Sequence, residues 1–173
     1  VAGYEISPLL AKLVNSAYPE VRARVYELAR EAGIADLLPH ALEEIRTARH
    51  GEVVKAAVKY VTTVAPEGLE RAREFLDSPD PHAVEGALEA LAGRPEAADL
   101  VSCDWVAQTE RDPDPERRAL AAMAVGICGD HGTEALHRLL ADPNPRVAAA
   151  ACRAAGAVRN RAYIHPLFKR VAD

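Results

Sequence analysis

Five short stretches of this chain stop a helix and start another at nearly constant spacing: "SAYPEVRARV" from Ser16, "RHGEVVKAAV" from Arg49, "SPDPHAVEGAL" from Ser78, "DPDPERRALAA" from Asp112 and "DPNPRVAAAA" from Asp142. With Pro19, Gly51, Pro81, Pro115 and Pro145 taken as equivalent, the intervals are 32, 30, 34 and 30 residues. Such a period marks an array of repeated supersecondary units, each too small to bury its own apolar face. The prolines also fix the geometry. At the first turn of a helix a proline's missing N–H has no intrahelical partner to lose, and its fixed φ suits the helix. Asp80, Asp114 and Asn144 stand just ahead as candidate N-caps. Pro113 and Pro143, two residues upstream of the helix start, disfavour helical geometry before them and end the preceding helix. The motif therefore reads as a hinge between antiparallel helices.

Apolar spacing supports hairpins on both sides of each hinge. Val147, Ala150, Ala151, Ala154 and Val158 recur at intervals of three and four, which is one helix face. Leu136, Leu139 and Leu140 form the facing helix of that unit, as Leu69, Ala72, Phe75 and Leu76 do in the third. Alanine dominates the apolar residues and aromatics are only 5%, a balance that favours close-packed helices over sheets. The pattern predicts helices near 8–15, 20–32, 35–48, 52–64, 66–77, 82–92, 95–110, 116–128, 133–141 and 146–158. A last helix near 162–171, apolar at Ile164, Leu167, Phe168 and Val171, would begin a sixth hairpin. The expected fold is all-α: a right-handed α-solenoid of about five and a half hairpins forming one domain over residues 1–173. Because the chain opens on Val1, a fragment of a larger protein is expected.

These units resemble the short bacterial type of HEAT repeat, related to phycobilin lyase-like repeats. "LLADPNPRVAAAACRAAGAV" and "FLDSPDPHAVEGALEALAG" show its leucine-bearing first helix, D-x-P hinge and valine-then-alanine second helix. The Trp-Leu-Gly-Tyr pattern of tetratricopeptide repeats and the Thr-Pro-Leu-His turn of ankyrins are both missing. The family often has an arginine after the hinge valine. Arg22 follows Val21, whereas Ala148 follows Val147 and Val54 follows Val53. A narrower resemblance links "YPEVRARVYELAREAG" and the C-terminal units to HEAT arrays attached to bacterial ATP/ADP-translocase-like transporters. It implies the cytosolic module of a membrane protein.

Chemistry is scarce. Cys103, Cys128 and Cys152 form no C-x-x-C pair, so neither a disulfide framework nor a zinc site is expected, and buried free thiols in a reducing compartment are. No apolar run reaches the ~18 residues of a membrane span, and no secretory leader is evident. A cytoplasmic location follows from that reading. HEAT-like di-iron hydroxylases carry His-Glu dipeptides, but His40, His50, His82, His131, His137 and His165 precede Ala, Gly, Ala, Gly, Arg and Pro. No metal or cofactor is expected. Trp105, after Asp104, could resemble the Trp and Asp of HEAT-like DNA glycosylases, and a Trp packed between helices is the preferred reading.

The remaining candidate is a distributed surface. The second helices carry Arg22, Lys55, Lys59, Arg117, Arg118, Arg146 and Arg153, while the first helices lean acidic. A weakly basic inner face on a chain of net charge −5 would take an acidic peptide, a nucleotide or anionic head groups. The competing reading is of ordinary solvated charges, with Arg118 paired along its own helix. Interspersed glutamates argue against duplex nucleic acid. The expected role is a non-catalytic scaffold that contacts another protein or another domain of its parent chain, with any membrane reached only through that parent. The alternatives are a nucleic-acid-binding array and a phycobilin lyase-like enzyme.

Overall fold

A computed structural model describes residues 6–128 and 132–158. Every regular element in it is a helix: α1 (Ile6–Leu13), α2 (Pro19–Glu31), α3 (Leu38–Thr47), α4 (Gly51–Val64), α5 (Gly68–Leu76), α6 (Pro81–Leu91), α7 (Ala97–Leu100), α8 (Cys103–Thr109), α9 (Pro115–Cys128), α10 (Thr133–Leu140) and α11 (Pro145–Val158). They pair as successive hairpins, the all-α solenoid pattern that the hinge spacing predicts. The anticipated helix 162–171, the side chain of Val158, His131 and His165 lie outside the described residues. The chain divides into two compact units, Val1–Ala90 and Leu91–Asp173.

Pro19, Gly51, Pro81, Pro115 and Pro145 are each the first residue of a second helix. Three of the hinges share one hydrogen-bond pattern. In S78-P-D-P-H82 the Asp80 N–H donates to Ser78 Oγ at 3.2 Å and the His82 N–H to Asp80 Oδ1 at 2.9 Å. In D112-P-D-P-E116 the corresponding bonds to Asp112 and Asp114 are both 2.9 Å. In D142-P-N-P-R146 those to Asp142 and Asn144 are 2.8 and 2.9 Å. Alternate residues are prolines with no N–H to satisfy, and the residues between them have theirs taken by a side chain two positions back. The bend thus leaves none of these donors bare.

At Gly51 the space that a side chain would take is occupied by a neighbour. A Cβ there would lie 2.1 Å from His82 Nε2, so the imidazole of the next hairpin fills the space. Gly33 has another role: at φ 64° it ends α2, and the Ile34 N–H reaches back to the Ala29 carbonyl at 2.9 Å. This is the left-handed helix termination that favours glycine.

The core is built from the expected faces. Ala72, Phe75 and Leu76 are buried, as are Leu136, Leu139, Leu140, Val147, Ala150, Ala151 and Ala154, while Leu69 is half-buried. In the first unit α4 is enclosed nearly all round, with Val53, Val54, Ala57, Val58, Tyr60 and Val61 at 1% exposure or less. Small residues set the helix spacing. At Gly86 of α6 a Cβ would lie 2.6 Å from the Lys55 carbonyl oxygen of α4.

One expectation fails at residues 95–110, where a single helix is replaced by α7 and α8. Val101 is extended at φ −96°, ψ 93°, and the Ser102 side chain accepts the Trp105 N–H at 3.1 Å. Serine is a strong N-cap, so it restarts the helix where apolar spacing alone would run through. The thiols also differ from expectation: Cys128 is buried, Cys152 is half-buried and Cys103 is exposed. Cys128 Sγ donates to the Val101 carbonyl at 3.2 Å. Burial, reinforced by the neighbouring Cys103, pushes its thiol up to about 11, and burial pushes the Tyr60 phenol up to about 12.

Two measurements check this packing. Replacing Gly86 by Ala forces two backbones apart and should lower unfolding free energy by about 1–3 kcal/mol in denaturant titration, the cost typical of overpacking. The second concerns alkaline pH. Cys128 and Tyr60 are neutral when protonated and have raised folded values, so their stabilisation is complete below their ordinary values and is lost as pH rises through the folded ones. Melting temperature should therefore fall from pH 9 toward 11. A melting temperature that rises over this range would contradict the assignment.

Candidate interaction surface

Residues at equal distances from successive hinges face one another across neighbouring second helices. Lys55 and Glu85 each lie four positions after their helix starts, Gly51 and Pro81, and Lys55 Nζ is 3.7 Å from Glu85 Oε1. Lys59 and Glu89, eight positions after the same starts, meet at 2.6 Å. In the second unit Arg146 and Glu116, one position after Pro145 and Pro115, meet at 3.4 Å. Equal offsets can pair only if α4 lies in register with α6, and α9 with α11. Lys55 also contacts Glu52 of its own helix at 3.1 Å. Partial burial works against its charge, but the Glu52 hydrogen bond and the charge of Glu85 outweigh it and raise its pKa above the ordinary lysine value.

The third position after the hinge carries a different device. Arg22 and Arg118 occupy it in the first and second units, and each donates through Nη1 to the carbonyl three residues before its own hinge proline: Ser16 at 2.8 Å and Asp112 at 3.0 Å. Each also grips an acid of the next hairpin. Arg22 Nε lies 3.2 Å from both Glu44 oxygens, and Arg118 meets Asp142 in a forked pair at 2.7 and 3.1 Å. In the other three hairpins this position holds Val54, Val84 or Ala148, buried at 1, 3 and 4% exposure. The third position is therefore a seam position, filled by an apolar contact or by an anchored arginine. Arg118 pairs across the seam with Asp142, where the competing reading of solvated charges has it paired along its own helix.

Arg117 is half-buried beside Arg118 on α9, and Arg153 is exposed on α11. Sequence reasoning missed one pair entirely. Glu110, with its side chain 2% exposed, receives Arg138 Nη2 at 2.7 Å and Arg138 Nε at 3.0 Å. Both residues lie near the ends of first arms, 28 positions apart, and that near-repeat spacing was the available signal.

Trp105 is half-buried and Asp104 exposed. Among the described residues no group of three or more His, Cys, Asp or Glu is placed to hold a metal ion. No described helix is long and apolar enough to cross a membrane. Replacing Arg138 by Ala strands the Glu110 carboxylate in the interior. The cost should be about 1–2 kcal/mol in denaturant titration, less than for a fully buried pair because Arg138 stays more than half exposed. A companion Glu110→Gln, Arg138→Ala variant should recover part of that loss.

The family model for HEAT repeats matches residues 104–173. No curated protein matches the chain. HEAT repeats serve in general as non-catalytic scaffolds for protein–protein contact. The matched segment begins within α8 and contains the hinges at Pro115 and Pro145, whose hydrogen-bond pattern recurs at Pro81. Residues 104–173 are thus similar to HEAT repeats.

Proposed function

We propose that the chain is a non-catalytic protein-contact module that binds another protein, or another domain of its own parent chain, through its second-helix faces. The contact residues are Lys55 and Lys59 in the first unit and Arg117, Arg146 and Arg153 in the second, while Arg22 and Arg118 are spent on the seam beneath them. The observation that carries the reading is the interleaving of charge: Lys55, Lys59 and Arg146 each face a glutamate of the neighbouring hairpin. A surface of alternating sign suits the mixed charges of a folded protein. It suits a polyphosphate backbone poorly, because affinity for that backbone grows with the number of unopposed cations.

Carriage by an ATP/ADP-translocase-like transporter is the finer form of this reading, motivated by the sequence resemblance alone. Recovery of the native protein in washed membranes supports it, and recovery only in the supernatant removes it.

The test compares immobilised wild type with an Arg146→Glu, Arg153→Glu variant, using extract of the source cells and quantitative mass spectrometry. Both side chains are exposed, so melting temperature should change little even though Glu116 loses its partner. A protein partner retained by wild type and lost by the variant is expected. Equal recovery on both would sink this surface. Labelled duplex DNA and single-stranded RNA should show no saturable binding at about 0.15 M salt. Tight binding with a steep salt slope would replace the reading with a nucleic-acid one.

A further inference from the structure

The large apolar side chains most exposed among the described residues all belong to the first hairpin: Ile6, Leu9 and Leu13 on α1, Tyr18 at the bend and Leu28 on α2. Single exposed leucines are ordinary, but a group of them at helical spacing marks a contact. The repeat itself indicates which contact. Counted back from the hinge prolines, Leu10 and Val14 of α1 align with Ala72 and Leu76 of α5 and with Leu136 and Leu140 of α10, and all six are buried. In that alignment Leu13, 38% exposed, falls on buried Phe75 and Leu139. Leu9, 58% exposed, falls on half-buried Arg71 and buried Ala135. Counted forward from the hinges, Leu28, 37% exposed, falls on Tyr60, Ala90 and Ala154, which are all buried.

These are the positions by which a later hairpin meets the one before it. Tyr60 packs on Tyr26 of the preceding second helix, with ring centroids 5.8 Å apart. In the first arms Arg138, next to Leu139, reaches back to Glu110 at 2.7 Å. Lys12, exposed on α1, stands at the place of Arg138. The first hairpin therefore presents the leading side of a seam, with apolar contacts and a cation in their usual places. A repeat that closes an array turns a polar face outward instead.

The seam at α2 differs from the later ones in spacing. Arg24 stands where α6 has Gly86, and its guanidinium rests on Glu27 at 2.7 Å. A neighbour of α2 must therefore lie further away than α4 lies from α6. The side chains suit that wider gap: Leu9 and Leu28 are leucines where later hairpins have Ala135, Ala90 and Ala154.

We propose that this face is the stacking site for one further helical hairpin of the same repeat, carried by the parent chain ahead of α1. That hairpin covers Leu9, Leu13 and Leu28, and the end of its first arm supplies an acid to Lys12 as Glu110 does to Arg138. The face shares no residue with the charged second-helix surface, so the pull-down and the test below fail independently.

The gene gives the first test: the residues encoded ahead of Val1 should place a proline or glycine hinge 30–34 positions before Pro19, the interval of the later hinges. The second is maleimide labelling, followed peptide by peptide in a mass spectrometer, of Leu13→Cys and Leu28→Cys. It compares the dilute 173-residue chain with the parent protein, in membranes and after solubilisation in detergent. Cys103 is exposed and serves as the internal control. Relative to Cys103, both introduced thiols should react freely in the 173-residue chain. In the parent they should react about tenfold more slowly, the protection expected of a seam that opens only locally. A parent with no upstream hinge, or equal rates in both proteins, overturns the proposal. Protection that grows with the concentration of the 173-residue chain assigns the face to a second copy, and protection that detergent abolishes assigns it to lipid. Either result also overturns it.

Discussion

The rest of the structure depends on how each hinge disposes of its backbone N–H groups. A sharp bend between packed helices removes donors from water while denying them helical partners, and each bare donor would cost more than a typical hydrogen bond gains. Here alternate residues are prolines, and the side chains of Ser78, Asp80, Asp112, Asp114, Asp142 and Asn144 take the donors between them. The turn therefore has little freedom, and the second helix begins at one defined residue. That fixed start lets residues thirty positions apart meet at ion-pair distance. Arg22 and Arg118 reinforce it by tying the fourth residue of the helix back to the carbonyl ahead of the turn.

Most of this scaffold was legible before any coordinates, because hinge chemistry and helix periodicity are local. Pro81, Pro115 and Pro145 announce their own positions, and the alanine face of α11 follows from spacing by three and four. The split at Val101 and Ser102 was legible in principle, since serine followed by a first-turn aspartate, Asp104, is an N-terminal signal. It was masked by the apolar residues on either side. Ion pairing was not legible. Whether Arg118 meets a neighbour along its own helix or Asp142 across the seam depends on the register of adjacent hairpins, which no single helix encodes.

The electrostatic character of the surface follows from the same register. Had the acids fallen one position off, Lys59 would lose its partner and Lys55 would keep only Glu52 of its own helix. Because Glu85 and Glu89 sit at matching offsets, opposite charges interleave and the long-range field is weak. Selectivity on such faces must come from shape and from short-range hydrogen bonding, not from steering at a distance. The anchored arginines have little freedom to reach outward, whereas Arg153 and Arg146 are exposed.

The matched offsets also limit how a chain of this kind can change in length. One residue inserted into a second helix would turn everything beyond it by about 100° and carry Lys59 away from Glu89 while leaving Lys55 in place. Second helices are therefore intolerant of small insertions, and the array can grow there only by whole hairpins. First arms answer to a looser rule. The longest interval, 34 residues from Pro81 to Pro115, contains the arm that breaks into α7 and α8, where a serine-capped restart absorbs extra length without disturbing the helix that follows. Indels in such an array should accumulate on one side of each hinge and be excluded from the other, an asymmetry that the spacing of ion pairs imposes on its evolution.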